Sequence, residues 1–168
     1  LRLMTELERV LPKKHVYLFW SLLKRDNNEH ILQKATEIGV SNFVPIISDR
    51  TIKKDFNHDR ASKIVREAAE QCGRSDIPFV REPVHLAKVL PEYADKMALF
   101  FCEKAEPIEN QEALTFPDKL GIFIGPEGGW SAAELELFHA NSCTPLHLGN
   151  FTFRAETAAV TAVYKLLH

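Results

Sequence analysis

Two stretches in the last third of the chain combine glycine turns with residues that can do chemistry. The first, LGIFIGPEGGWS from Leu120 to Ser131, places three of the seven glycines within five positions after an apolar run. The second, LGNFTFRAETAAVTAVYKLL from Leu148 to Leu167, places an arginine and a glutamate just after a glycine turn. Glycine lets a ligand approach the main chain without a side chain in the way. The two stretches therefore predict a binding site built largely from backbone.

Several common chemistries are not encoded in this sequence. It contains no G-x-G-x-x-G, no G-x-x-x-x-G-K-[ST], no G-x-S-x-G and no H-E-x-x-H. Its three cysteines stand far apart and form no C-x-x-C pair, so we expect neither a metal site nor a disulfide framework. Taken alone, the glycine-rich stretch is equally compatible with a tight turn between a strand and a helix.

Composition sets further bounds. The 168 residues suit a single domain, and a net charge of −2 argues against coating nucleic acid by bulk electrostatics. Most positive charge falls in the first half, which leaves room for a local basic face. No apolar run approaches the roughly 20 residues that span a bilayer, so we expect no membrane partner. Free cysteines favour a reducing cytoplasm.

Strand and helix patterns alternate along the chain. Asn28 is placed to cap a first helix that ends at Gly39, Ser131 and Glu134 form a capping box, and Pro91 is expected to break a weaker helix. The alternation predicts an α/β fold with a mostly parallel sheet and helices on both faces. The predicted strands are VYLFWSLL, NFVPIIS, PFVRE, MALFFCE, the run before the glycines, and PLHLG; further helices cover about 59–72, 85–94, 131–140 and 156–167, and 104–118 is a polar connection.

Five blocks follow one another along the chain: ILQKATEIGV, SDR, EAAEQCGR, IGPEGGWSAAELELF and LGNFTFRAETAAVTAVYKLL. In this order they resemble the ribosomal RNA small-subunit methyltransferase E family, enzymes of the SPOUT class that methylate N3 of a uridine in 16S rRNA. The resemblance implies a deep trefoil knot near the C-terminus, S-adenosylmethionine as cofactor, 16S rRNA or the small ribosomal subunit as partner, and a homodimer.

The resemblance also implies a domain division. Family members usually carry an N-terminal PUA-like β-barrel that helps to bind RNA. Residues 1–14 would be a linker or a remnant of that domain, and residues 15–168 the SPOUT methyltransferase domain.

Roles for individual residues follow from the same resemblance. Arg154 is expected to stabilise charge on the uracil, and Glu156 to orient that arginine or to accept the proton from N3. The family commonly has an arginine where this chain has Phe151, which is able to stack on a base instead. The expected cofactor contacts are Ile124, Gly125, Glu127, Gly128, Gly129, Leu148, Gly149 and Phe153; the expected RNA contacts are Arg50, Arg74, Lys53 and Lys54.

Two other functions fit the same blocks. One is a SPOUT methyltransferase that acts on another RNA, such as tRNA. The other is a non-catalytic RNA-binding or ribosome-assembly module that keeps the knot. A substrate assay separates the first from the leading hypothesis, and a cofactor titration separates the second.

Overall fold

The computed structural model describes residues 8–103 and 116–168. The order of strands and helices confirms the predicted α/β alternation. The elements are β1 (His15–Ser21), α1 (Arg25–Ile38), β2 (Asn42–Ile47), α2 (His58–Cys72), β3 (Phe79–Val80), β4 (Val84–His85), α3 (Leu86–Ala94), β5 (Ala98–Cys102), β6 (Lys119–Ile124), α4 (Ala132–Ala140), β7 (Thr144–Leu146) and α5 (Ala155–Leu167).

All described strands join one parallel sheet. The strand order is β3-β2-β1-β6-β5-β7, and β4 also pairs with β2. In the centre, β1 lies between β2 and β6, so its residues are buried against neighbours on both edges. Central strands of a parallel sheet are covered on both faces, which explains why VYLFWSLL is apolar without alternation.

Two apolar cores lie on opposite faces of the sheet. Side chains alternate along β1, so Leu18 and Trp20 join one core and Phe19 joins the other. The first core also contains apolar residues of α1, α2 and α5, and the second those of α3 and α4. Helices therefore cover both faces, as predicted.

Two local predictions were wrong. Asn28 does not cap α1, which begins at Arg25; its amide is buried and bonds Leu23 and the indole of Trp20. Pro91 does not end α3, which continues to Ala94. Pro91 lies in the second turn, where it removes a single intrahelical hydrogen bond, while its neighbour Leu90 is fully buried.

The knot stays a prediction. A chain's knotting depends on the path of every connection, and residues 104–115, between β5 and β6, lie outside the described residues. The polar connection predicted over 104–118 falls mostly in the same segment. Within the described ranges, no helix is long and apolar enough to cross a membrane.

Candidate cofactor and RNA site

The carboxyl ends of β1 and β2 are tied together by buried hydroxyl groups. The Oγ atoms of Ser21 and Ser48 are 2.9 Å apart, and Ser48 Oγ is 2.8 Å from Oγ1 of Thr51. The N–H of Thr51 donates to the carbonyl of Ser48 at 3.1 Å and closes a turn over residues 48–51. Ligands of open parallel sheets bind at this carboxyl edge, so it is the first place to look for a site.

The glycine loop, residues 125–131, leaves the same edge at the end of β6. Trp130 lies beneath it, nearly buried, and its indole N–H donates to the carbonyl of Cys102 at 2.9 Å. Because Cys102 ends β5, this bond fixes the loop to the neighbouring strand. A Cβ atom on Gly125 would lie 3.1 Å from the indole ring, so glycine is needed there to fit Trp130.

The turn over residues 48–51 holds the glycine loop from the other side. Arg50 Nη1 donates to the carbonyl of Gly128 at 2.6 Å, and a Cβ on Gly128 would come within 3.3 Å of Arg50 Cδ. Sequence reasoning gave the three glycines one purpose, room for a cofactor. The structure instead uses Gly125 and Gly128 to fit side chains of the chain itself. Gly129, at φ 69°, is the member with open space around its Cβ position.

The capping box predicted for α4 is present and has a second function. Ser131 Oγ accepts from the N–H of Glu134, and the Glu134 carboxylate accepts from the N–H of Ser131 at 2.8 Å. The other Glu134 oxygen accepts from the N–H of Asp49 at 2.9 Å, and Ser131 Oγ donates to Asp49 Oδ2. The cap thus connects the glycine loop to the end of β2.

The second loop, residues 147–154, follows β7 and leads into α5. Gly149 has φ 137° and open space at its Cβ position, while Leu148 packs against the core. Phe151 is 85% exposed, and Phe153 is half-buried. Only β5 separates this loop from the glycine loop at the edge of the sheet.

Arg154 and Glu156 stand where the second loop becomes α5. Arg154 is the exposed N-cap residue, and its guanidinium pairs with no carboxylate within the described residues. Glu156 accepts a hydrogen bond from Nδ2 of Asn27 at 3.3 Å, so α5 meets the start of α1. The idea that Glu156 orients Arg154 has no support in this arrangement.

The predicted RNA contacts differ in how available they are. Lys53 and Lys54 are exposed in the segment between β2 and α2. Arg74 does not fit its prediction, because its side chain is only 5% exposed. Its guanidinium bonds the Asp76 carboxylate twice and the carbonyls of Thr36 and Val40, so it holds the end of α2 to the end of α1.

In the part of the chain that the structure describes, acidic and sulfur groups do not converge on a metal site. Across 8–103 and 116–168, no group of three or more His, Cys, Asp or Glu side chains is arranged to hold an ion. Burial raises the pKa of the Cys102 and Cys143 thiols to about 12, so both are protonated at neutral pH. Neither is suited to act as a nucleophile.

Sequence reasoning missed three residues of this edge. Trp130 was detectable, since a large aromatic residue directly after Gly-Gly must pack somewhere near the loop. Asp49 and Asn27 had no local signal, because their partners lie more than eighty positions away along the chain.

The parallel sheet carries two glycine turns at its carboxyl edge, and Arg154 beside them pairs with no carboxylate among the described residues. Residues 10–167 match the RNA methyltransferase domain family, and the chain belongs to that family. Among curated relatives, the ribosomal RNA small subunit methyltransferase E of Aquifex aeolicus is 34% identical over 97% of this chain and 72% of its own length. The Bacillus subtilis protein of that name is 32% identical over 95% of this chain and 67% of its own length.

Solved structures agree with this membership. A methyltransferase from Legionella pneumophila, in complex with S-adenosylmethionine, superposes with TM-score 0.85 and 30% identity over 94% of this chain and 67% of its own. The ribosomal RNA small subunit methyltransferase E of Neisseria gonorrhoeae, also bound to S-adenosylmethionine, superposes with TM-score 0.84. It is 26% identical over 90% of this chain and 65% of its own. The predicted SPOUT-type sheet with helices on both faces is confirmed.

Proposed function

We propose that this protein transfers a methyl group from S-adenosylmethionine to N3 of a uridine in 16S ribosomal RNA. One observation carries the proposal: at the sheet edge from which the glycine loop leaves, the second loop presents open backbone and Arg154, which has no carboxylate partner among the described residues. The names of the relatives support ribosomal RNA as substrate, and the S-adenosylmethionine complexes support the cofactor.

The two loops fit a cofactor that is bound through main-chain groups. The N–H groups of Glu127, Gly128 and Gly149 donate to no other described residue, so they are free to donate to a ligand. The positions of Gly129 and Gly149 are open, and a side chain there would fill the approach. We assign the cofactor contacts to these loops, including Ile124, Leu148 and Phe153 as apolar flanks.

Arg154 has the properties that the uracil needs. S-adenosylmethionine supplies an electrophilic methyl group, and N3 becomes a nucleophile only when its proton leaves. The negative charge then spreads onto O2 and O4 of the ring. A guanidinium stays charged and offers several donors to those oxygens. Because Arg154 has no carboxylate partner among the described residues, its donors are available for this task.

Glu156 is our candidate to accept the N3 proton. Glu156 lies two residues beyond Arg154, in the first turn of α5, and Asn27 donates to one oxygen of its carboxylate. The amide therefore fixes the direction of the carboxylate while leaving its other oxygen for the substrate. Glu156 would take the proton and leave the N3 lone pair free. Bound S-adenosylmethionine would supply the methyl group to that lone pair, and its methyl carbon–sulfur bond would break with S-adenosylhomocysteine as the leaving group.

The RNA surface and the oligomeric state complete the proposal. Lys53 and Lys54 bind phosphates, Phe151 stacks on a base, and the reaction takes place in the cytoplasm on small-subunit rRNA. We further propose a homodimer. One face of α5 covers the chain's own sheet, while Tyr164, 57% exposed, lies on the opposite face and is free to meet a second copy.

Methyl incorporation tests the proposed reaction. Purified protein, labelled S-adenosylmethionine and small subunits from a strain without the relative should yield 3-methyluridine in 16S rRNA, found by mass mapping. Label in tRNA instead would assign another RNA substrate. Failure of S-adenosylmethionine to bind in calorimetry would leave only a non-catalytic module. Light scattering at micromolar concentration tests the dimer separately.

A further inference from the structure

A cleft of about 470 Å³ opens beside the candidate site, and among its lining residues Lys53 alone has a role above. It lies between the start of α1, residues 53–57 and the start of α2. Its apolar floor consists of Leu23, Leu32, Phe56, Ala61 and Ile64. Beneath the floor is the buried Trp20, whose ring centroid is 6.2 Å from that of Phe56. The volume falls in the range that encloses a small organic ligand.

Basic side chains line this apolar floor. Lys24, Arg25, Lys53 and Arg60 contribute four positive charges, against the carboxylates of Glu29 and Asp55. Glu29 accepts from Arg60 at 2.5 and 2.8 Å and from Arg25 at 3.0 Å, so it orients both guanidinium groups at the cleft. An apolar slot with surplus positive charge is complementary to a flat base that carries a phosphate.

The cleft adjoins the proposed reaction site through two chain segments. Asn28 lines it, and the neighbouring Asn27 bonds Glu156. Residues 50–57 run from Arg50, which contacts the glycine loop, to the cleft wall at Lys53 and Phe56. A nucleotide in the cleft would therefore be close to a uridine at Arg154 and Glu156.

We propose that this cleft binds one unpaired nucleotide of the RNA substrate, next to the uridine that is methylated. The inference rests on the proposed function, since it gives the substrate a second point of attachment. The base lies on the apolar floor near Phe56, and its phosphate meets Lys53 and the arginines. Unstacked bases held on aromatic and apolar side chains are the usual means of recognising single-stranded RNA.

The two tryptophans of the chain report on the two sites separately. The Trp20 indole N–H bonds Asn28 in the wall of the cleft, and the Trp130 indole N–H bonds Cys102 under the glycine loop. In NMR titrations, uridine 5′-monophosphate should shift the Trp20 indole signal, and S-adenosylmethionine should shift that of Trp130. A silent Trp130 counts against the proposed function, and a silent Trp20 counts against the cleft alone.

A matched pair of charge reversals tests the contact. Lys53 lines the cleft and Lys54 does not, although both are exposed on the same segment. Lys53→Glu should weaken uridine 5′-monophosphate binding about tenfold, as for one lost charge-assisted contact, and Lys54→Glu less than about twofold. Uridine without the phosphate should bind both variants alike.

Three results would overturn the assignment. Equal weakening by the two variants would mean diffuse electrostatics rather than a site. A short oligouridylate that binds no tighter than the monophosphate would mean a free-nucleotide site. If Lys53→Glu converts a wild-type dimer into a monomer, the cleft is an interface between copies.

Discussion

The carboxyl edge of the sheet has two sides that differ in how their polar groups are used. On the paired side, residues 48–51 and 125–134, hydrogen bonds connect Arg50, Asp49, Ser131 and Glu134 to one another or to the loop backbone. On the open side, residues 147–154, Arg154 has no carboxylate partner within the described chain, and Phe151 extends into solvent.

This difference indicates that the paired side positions the cofactor and that the open side acts on the substrate. Groups that already bond one another are held in place before a ligand binds, so binding costs no further conformational entropy there. Such an arrangement suits a preorganised cofactor site. Groups without partners keep their full bonding capacity for a substrate whose charge develops during reaction. We therefore expect Arg154 and Phe151 variants on the open side to change rate or RNA affinity, and variants on the paired side to change cofactor affinity and stability.

The largest effect is expected at Arg154. Arg154→Ala should lower the single-turnover methylation rate about 10²–10³-fold at saturating RNA, because it removes the donor to the uracil oxygens. RNA affinity should change little. Arg66→Ala, at an exposed arginine of α2, is the control and should react normally. A wild-type rate for Arg154→Ala with bound RNA would make the residue a binding group only.

Phe151 tests whether the open side also holds RNA. Phe151→Ala should weaken RNA binding by about 1–3 kcal/mol, the value of one base–aromatic stack, as measured by fluorescence anisotropy. Phe151→Tyr should retain affinity, since the ring remains. If alanine binds as tightly as the wild type, the exposed ring serves another surface, such as a contact between copies.

Trp130 probes the paired side. Trp130→Phe removes the indole hydrogen bond and leaves the Cys102 carbonyl without its partner, which should lower the free energy of unfolding by about 2 kcal/mol in urea. S-adenosylmethionine affinity should fall with it. Phe138→Leu disturbs the same apolar core but keeps that bond, so it should lose stability without this loss of affinity. Unchanged cofactor binding in Trp130→Phe would show that the loop needs no support.

Arg50 distinguishes support of the loop from contact with RNA. Arg50→Ala should raise the Kd for S-adenosylmethionine several-fold, equivalent to about 1 kcal/mol, because the Gly128 carbonyl loses its donor. The salt dependence of RNA binding should stay as in the wild type. If the slope of log RNA-binding constant against log salt concentration becomes smaller by about one while cofactor affinity stays normal, Arg50 instead contacts a phosphate.

The smallest effect is a pH dependence of stability in the neighbouring cleft. The hydrogen bond from Arg60 lowers the pKa of Glu29 from 4.5 to about 2. The carboxylate therefore contributes stability above about pH 4.5, and this is lost as pH falls toward 2. Because the pair is partly exposed, the loss should stay below about 1 kcal/mol. In both Glu29→Gln and Arg60→Ala, the free energy of unfolding measured in urea should depend less on pH over that range. An unchanged pH dependence in either variant would contradict the pairing.

Local patterns predicted the fold well and the site partly. The Ser131–Glu134 cap and the apolar strand β6 follow from neighbours in sequence, and both are confirmed. Asn28 has the residue type of a cap, but its partners decide its place: Trp20 in β1 and Leu23 just after that strand. Arg50 and Arg74 look alike as sequence; only tertiary contacts show that Arg74 is enclosed within the fold.

The pairing of β1 with β6 has a consequence for how the chain is made. His15 and Lys119 are partners in the ladder, although about a hundred positions separate them, so closing that pair costs loop entropy before any contact rewards it. During synthesis, β1 is finished long before β6 leaves the ribosome, and one backbone edge of the central strand waits without a partner. Until β6 and the glycine loop after it emerge, that edge of β1 must be kept from pairing with a wrong strand.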